Sequence, residues 1–393
     1  MRSDKKKVLA LITAVCMILV LAGCGRKDTE KTAATSASIS VTTVTEAPSA
    51  SSADTSAAPT ASEATKPSET LPSETAETTV PAVLTLADYF PILPDVSCRF
   101  DVSGGKDLPV STYVEFTGQD TIQIKYDNGT TIKHVLYAIR DGEVRIAVER
   151  SELYAREDLS LLPSEGDGEI LLKEPLKVGT TWYVDGGIRS ITDLKARVDT
   201  PAGSFSAIEV TTIGNDTATR QYYAPGIGLV KTIRTGAFED TSVLGTRTTG
   251  QPEPMNLTLY YPKMTDTKVV VTSEMTQAKL YSNDLLTDLL ADCFRHPAET
   301  DTMPLMSENT KIRSMSQDPV SGIVTIDFSK EFISEMNAGS ETEAAILQCV
   351  ANTAGSVYCA SGVIITIDGQ LYESGHIAFK QGESIAVDYY NVT

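Results

Sequence analysis

"TYVEFTGQDTIQIKYDNGTTIKHVLYAIRDGEVRIAVER", residues 112–150, decides the fold of the central part of this chain. Apolar and polar residues alternate along it, the pattern of a strand whose successive side chains point to opposite faces. The alternation breaks at Gly118, at Asn128-Gly129 and at Asp141-Gly142. Asn-Gly and Asp-Gly are the strongest short hairpin signals, because tight hairpin turns need positive φ at their central residues. The stretch therefore reads as consecutive antiparallel strands. The pattern extends outward from Leu86 to about Arg247. Lys177-Val178-Gly179 precedes a strand at Thr181-Trp182-Tyr183, and Thr200-Pro201-Ala202-Gly203 precedes one through Ile208 and Val210. Pro225-Gly226 turns the segment "YYAPGIGLVKTIR". With no long helical stretch, residues 86–247 are expected to form an all-β domain, an antiparallel meander that closes as a barrel or curls as a half-barrel.

"TTGQPEPM", residues 248–255, reads as a short linker, and the pattern changes after it. "MNLTLYYP" and "KVVVTSEM" are strands. From Ser282, Leu285, Leu286, Leu289, Leu290, Cys293 and Phe294 form a helical stripe that Pro297 ends, with Ser282 as its expected N-cap. "TKIRSMSQ" and "GIVTIDFSKEF" make a hairpin with Val324, Ile326 and Phe328 on one face. Ser340-Glu341-Thr342-Glu343 has a capping-box pattern and opens a second helix with the stripe Ile346, Leu347, Val350, Ala351 and Ala354. "GVIITIDGQ" follows as a strand with Val363, Ile365 and Ile367 inward. The order ββα-ββ-α-β predicts an α+β sandwich over residues 255–393, with helices on one face of a sheet.

Both regions resemble known families. Pro175-Leu176-Lys177-Val178-Gly179-Thr180-Thr181-Trp182 and Tyr222-Tyr223-Ala224-Pro225-Gly226-Ile227-Gly228-Leu229-Val230 resemble motifs of β domains in bacterial envelope proteins, a resemblance that implies no activity. "VTIDFSKEF", the helix rich in Ala, Ile and Val, "VIITIDGQ" and "SGHIAF" resemble the GerMN domain of GerM-type sporulation and germination lipoproteins, over roughly residues 255–388. That resemblance implies an α/β domain of Gram-positive envelope lipoproteins, of the ring-building type, with no enzyme activity. The family often carries two such domains in tandem, whereas here the unrelated β domain holds the first position.

The N-terminus states where such a protein lives. Arg2, Lys5, Lys6 and Lys7 precede an apolar run from Val8 to Leu21 that only Thr13 interrupts. A positive region, a short apolar core and small residues describe a secretory signal. The run is about 14 residues, short of the roughly 17–25 that a spanning helix needs. Leu21-Ala22-Gly23-Cys24 resembles the lipobox of bacterial lipoproteins. It implies that residues 1–23 are a removed signal peptide and that Cys24 carries diacylglycerol, which makes the membrane a partner through the N-terminal lipid. An ordinary soluble signal with an incidental cysteine is the alternative. Residues 24–85 are rich in Ser, Thr, Ala and Pro, too poor in large apolar residues to offset ordering entropy, and are expected to be a disordered tether. Roughly 60 residues of coil span about 45 Å on average. A spacer that lifts the folded part off the membrane and a linker of unselected length both fit.

Composition narrows the function. The chain has 393 residues and a net charge of −19, which argues against nucleic acid as a partner. Cys98, Cys293, Cys349 and Cys359 remain beyond the signal and Cys24, and are expected to be mostly buried free thiols, with a Cys349–Cys359 bond as the lesser alternative. No spacing among them or among His134, His296 and His376 suggests a metal, and no phosphate loop or dinucleotide fingerprint suggests a cofactor; none is expected. Ser103-Gly104-Gly105-Lys106 has the S-x-x-K spacing and Tyr281-Ser282-Asn283 imitates an S-x-N element, but two glycines break the helical turn such a serine needs. His376 with Asp327 and Asp368 lacks a nucleophile and reads as structural. Asp368-Gly369-Gln370 is a hairpin turn without the acidic spacing of a calcium loop. Trp182, Tyr183, Tyr222 and Tyr223 line a ligand groove or fill a core. The expectation is a lipid-anchored, non-enzymatic envelope protein with an assembly or scaffold role, through self-association or an envelope protein partner. The alternative is a module whose β domain binds a small apolar molecule or a glycan.

Overall fold

Every hairpin signal becomes a turn between neighbouring strands. The computed structural model describes residues 83–105, 107–163 and 168–393, all within one unit, Thr78–Thr393. Cys24, Lys106 and the tether's residues up to 82 lie outside the described residues. The chain opens with a one-turn helix α1 (Leu86–Tyr89) and continues as β1 (Val96–Gly104), β2 (Val110–Thr117), β3 (Thr121–Asp127), β4 (Ile132–Arg140), β5 (Glu143–Ser151) and β6 (Ile170–Lys173). Then come β7 (Thr181–Val184), β8 (Gly187–Thr200), β9 (Gly203–Gly214), β10 (Ala218–Ala224), β11 (Gly228–Thr235) and β12 (Glu239–Thr249). Positive φ at Asp141, Gly142, Gly129 and Gly226 lets the turns reverse tightly.

The meander is one 12-stranded antiparallel sheet. Its two halves join where β1 pairs β12, from Val96 opposite Thr249 to Gly104 opposite Asp240, so β6 and β7 become its edges. Side chains bring those edges together. Trp182 Nε1 on β7 donates to the Ile170 carbonyl on β6 at 3.0 Å, and the Arg189 guanidinium on β8 donates to the same oxygen at 2.7 Å and to the Glu169 carboxylate at 2.6 Å. The sheet is a nearly closed barrel, its seam made by side chains where a backbone ladder would complete it. Leu86, Tyr89 and Phe90, at and just after α1, pack into the cluster that holds Val114, Ile122, Val135, Trp182, Ile208 and Tyr223.

The second body follows almost without a break. β12 runs to Thr249 and β13 (Glu253–Met264) starts at Glu253, so the expected linker contracts to Gly250, Gln251 and Pro252. β14 (Val269–Leu280) pairs with β13 as a long ribbon. After α2 (Leu286–Arg295) come β15 (Ile312–Gln317), β16 (Val324–Phe328), the short α3 (Glu331–Ser334), α4 (Ser340–Tyr358), β17 (Gly362–Ile367), β18 (Gln370–Leu371) and β19 (Ile385–Ala386). β15 pairs antiparallel with β16, and α4 crosses to bring β17 parallel to β16. The expected order is present. α4 is buried over more than its predicted stripe, including Asn352, Thr353 and Gly355, because the ribbon covers one side and the sheet the other. Thr353 Oγ1 accepts from the Tyr260 backbone N–H at 3.0 Å.

Two local expectations fail, for one reason. Ser282 does not cap α2, whose N-cap position is Leu285; its hydroxyl accepts from Asp95 N at 2.7 Å and donates to the Val114 carbonyl at 2.6 Å. Glu343 does not close a capping box; it turns inward and accepts from the Tyr372 hydroxyl at 2.8 Å. In both cases a tertiary partner outcompetes the local one.

The core of the second body takes in the outer face of the barrel's β4 and β5. On β4, Val135 and Tyr137 face the barrel interior, while Leu136 and Ala138 join Leu257, Leu259, Phe294, Ile326 and Val350. That is why "VLYAI" is a continuous apolar run where the flanking strands alternate.

Candidate functional site: the barrel cavity

The alternation that builds the barrel also lines it. A cavity of about 580 Å³ lies against Val114, Ile122, Ile124, Tyr126, Tyr137 and Tyr223. Phe90, Pro91, Ile227 and Leu229 line it at one end, by the β10–β11 turn. The register sets Val110, Asn128, Thr131, Lys133 and Arg234 at the other, where Ser111 faces Asp127, Asp127 faces Ile132 and Gly104 faces Asp240. Thr131 and Arg234 are exposed, so this polar end meets solvent. The volume falls in the range of roughly 300–1,000 Å³ typical of small-molecule sites.

Polar groups on its wall include the phenols of Tyr126, Tyr137 and Tyr223, the Cys98 thiol, the Arg247 guanidinium and the uncharged side chains of Thr112, Gln221 and Thr232. The Tyr126 and Tyr137 hydroxyls are 2.8 Å apart. Burial pushes Tyr126 up to about 12 and Tyr137 well above its ordinary value, so both stay protonated. Tyr223 is 1% exposed and its hydroxyl has no hydrogen-bond partner. Burial raises the Cys98 thiol, with Arg247 and Thr112 opposing. The Arg247 Nε is buried and unpartnered.

The sequence candidates separate. Of the four aromatics, Tyr223 lines the cavity, Trp182 packs at the seam, Tyr222 lies in a second cluster with Val198, Val230 and Leu244, and Tyr183 is 83% exposed. Ser103 is on β1 opposite Thr241, with Gly104 and Gly105 at positive φ after it. Ser282 and Asn283 stitch the second body to β2: Asn283 Oδ1 accepts from Thr117 N at 2.8 Å. Asp327 accepts from Thr366 Oγ1 and Gly369 N and lies 3.1 Å from Arg313, which also holds Asp368 at 2.6 Å. His376 is exposed on another turn, where its backbone N–H donates to Ser374 Oγ. Positive φ at Asp368 and Gly369 makes their turn a hairpin. The four cysteines are free, Cys349 fully buried and Cys359 exposed at the end of α4. Among the described residues no three His, Cys, Asp or Glu side chains gather as for a metal, and no helix is long and apolar enough to cross a membrane.

One constellation has no signature in the sequence. Glu115 and His134, each 1% exposed, meet with Nδ1 2.7 Å from Oε2. Gln123 Nε2 donates to the same oxygen at 2.9 Å, and His134 Nε2 faces the Leu153 carbonyl at 2.9 Å. Arg156 donates to the carbonyls of Glu115 and Tyr281, each at 2.6 Å. Burial pushes the Glu115 carboxyl up, but His134, Gln123 and Arg156 together outweigh it and hold it below the usual range. These residues sit between the bodies, and nothing in their local sequence distinguishes them from outward-facing polar positions.

Comparison with known proteins assigns the second body. Residues 258–373 match the Germane family, described as sporulation and spore germination, so the C-terminal part of the chain is a Germane domain. No curated protein matches the chain. Among solved structures, the tandem GerMN domains of the sporulation protein GerM from Bacillus subtilis are 16% identical, covering 36% of this chain and 48% of that one, with a TM-score of 0.28. A protein of Parabacteroides distasonis described as a lipoprotein is 15% identical, covering 41% of this chain and 98% of its own, with a TM-score of 0.27. A Clostridium perfringens protein described likewise is 20% identical, covering 35% and 93%, with a TM-score of 0.23. These overlaps are too low to argue a shared function.

Proposed function

We propose that the chain is a non-enzymatic, sporulation-related envelope protein, anchored by lipid on Cys24 at the extracytoplasmic face, whose barrel binds an apolar small molecule. The cavity carries this reading: about 580 Å³ walled by Val114, Ile122, Ile124 and Tyr137 inside a nearly closed sheet. Non-catalysis is supported by the dispersal of Ser103, Ser282 and His376, none of which has a base and a nucleophile assembled around it. The test uses N-phenyl-1-naphthylamine, a neutral probe that fluoresces in apolar surroundings. Saturable binding at one site, weakened tenfold or more when Ile124→Trp fills the cavity, supports the reading. No saturable binding, or binding indifferent to Ile124→Trp, overturns it.

The assembly role has its own observation. β14 is paired with β13 on one side, and beyond the bridge from Val271 to Val392 its other edge has no strand among the described residues. An open edge is a template for strand addition by a second copy or an envelope protein. Sedimentation velocity over a hundredfold concentration range tests self-association, and a Thr276→Pro variant should abolish it if this edge is the interface.

A further inference from the structure

The cavity's polar groups specify the charge of what it holds. The chain carries 52 acidic and 33 basic residues, yet the cavity is lined by Lys133, Arg234 and Arg247 and by no Asp or Glu. Two of these cations are balanced from outside the lining: Lys133 is 3.4 Å from Glu149, and Arg234 is 2.6 Å from Asp107. Arg247 is not. It has no ion-pair partner among the described residues, and its Nε is buried without any acceptor. The Tyr223 hydroxyl is a second orphan lining the same cavity, fully buried and held protonated. Native structures leave few buried polar groups unsatisfied, and each asks for an explanation. Both orphans here can donate and both line one cavity, whose other polar lining, Thr112, Gln221 and Thr232 among it, is uncharged apart from Lys133 and Arg234.

We infer, building on the ligand-binding reading above, that the barrel binds an anionic amphiphile: one apolar chain along Val114, Ile122 and Ile124, and a carboxylate or phosphate head that accepts from Arg247, with the Tyr223 hydroxyl donating to a further ligand oxygen. A head of this kind supplies the acceptors that both orphans lack, and a charged hydrogen bond is stronger than a neutral one.

The test titrates the full chain, carrying Cys24→Ser to prevent lipidation, with three probes of equal chain length: palmitate, hexadecyl phosphate and neutral hexadecanol. Native mass spectrometry reads occupancy. The expected result is one bound molecule of either acid, with hexadecanol at least about tenfold weaker. Arg247→Gln should bring the acids down to the level of the alcohol, a loss of roughly 10- to 100-fold. Tyr223→Phe keeps the ring, removes only the orphan hydroxyl, and should weaken the acids several-fold; it serves as the variant should Arg247→Gln fail to fold. A preference for hexadecyl phosphate points to a phospholipid-type head, and a preference for palmitate to a free fatty acid. If hexadecanol binds as tightly as the acids, or if both substitutions leave acid binding unchanged, the anionic head is refuted while the apolar cavity stands. If none of the three binds, the cavity reading itself falls.

Discussion

Replacing Glu115 with glutamine tests whether the buried pair between the two bodies holds them together. His134 Nε2 faces a carbonyl, which can only accept, so this nitrogen carries a proton. Nδ1 faces a carboxylate oxygen that also accepts from Gln123, so Nδ1 carries one too. The geometry is that of an imidazolium on a carboxylate, both 1% exposed. Glu115→Gln keeps shape and one acceptor but leaves the imidazolium without its counter-charge. Breaking a buried pair on one side costs about 3–5 kcal/mol, a large share of the roughly 5–15 kcal/mol that holds a domain folded. The assay is urea unfolding followed by the fluorescence of Trp182, the chain's one tryptophan, and by the ellipticity of α4. Glu115→Gln/His134→Gln removes both charges, and its cost should fall short of the summed single costs by about 2 kcal/mol or more. Acid adds an independent check. The Glu115 carboxyl is depressed in the fold, so its contribution is full above the ordinary value of 4.5 and is lost as pH falls through the lower folded value. The variant should lack that part of the acid slope. Single costs below about 1 kcal/mol that simply add would refute the pair's role.

Four further outcomes follow from other residues. Glu157 is raised, first by burial, with Gln317 and Tyr358 opposing, so it costs stability above its folded value and the cost disappears as pH falls to the ordinary range; Glu157→Gln should match or exceed the native chain at pH 7 in urea titrations and lose that advantage near pH 4. Leu259→Ala, in the shared core, should cost about 2–5 kcal/mol and shift the Trp182 and α4 transitions together; a shift of the α4 signal alone would show that the bodies unfold separately. A Cβ at Gly355 would stand 2.3 Å from Val387 Cγ2, so Gly355→Ala should destabilise by about 1–3 kcal/mol despite better helix propensity, as thermal melts would show. Burial raises Cys98, sends Cys293 to about 11 and raises Cys349 further, so a thiol reagent at pH 8 should label Cys359 first among these four, as peptide mapping would report.

The sequence carried the strands plainly and the site poorly. Period-two alternation and turns such as Asn128-Gly129 depend only on local sterics, so they survive into the fold. So does the inward parity of Val324, Ile326 and Phe328. Closure of the barrel does not, because it rests on a side-chain seam joining Trp182 and Arg189 to Ile170, residues far enough apart that no local pattern pairs them. The cavity has the same origin: each lining residue is an ordinary strand residue, and only the closure of the sheet turns their common face into a volume. At Ser282 and Glu343 a helix-start pattern competes with tertiary partners that the sequence does not display. Glu115, Gln123 and His134 carry no local signal, because polar residues on a strand read as outward until a second body covers them.

That covering ties the cavity to the Germane domain. β4 presents Tyr137 to the cavity and Leu136 and Ala138 to the core of the second body, while His134 at its start joins the interbody network. A packed strand cannot shift on one face without disturbing the other, since interiors of native density leave no slack. A ligand that binds the folded barrel adds its binding free energy to the folded state. β4 contributes to both the barrel's interior cluster and the core of the second body, so stabilising the barrel also stabilises the strand on which α2, α4 and their sheet pack. The interbody ties point the same way: Ser282 bridges Asp95 and Val114, and Glu157 holds the Gln317 backbone, so both ends of the interface are pinned by hydrogen bonds. This pinning follows from burying both faces of a single strand.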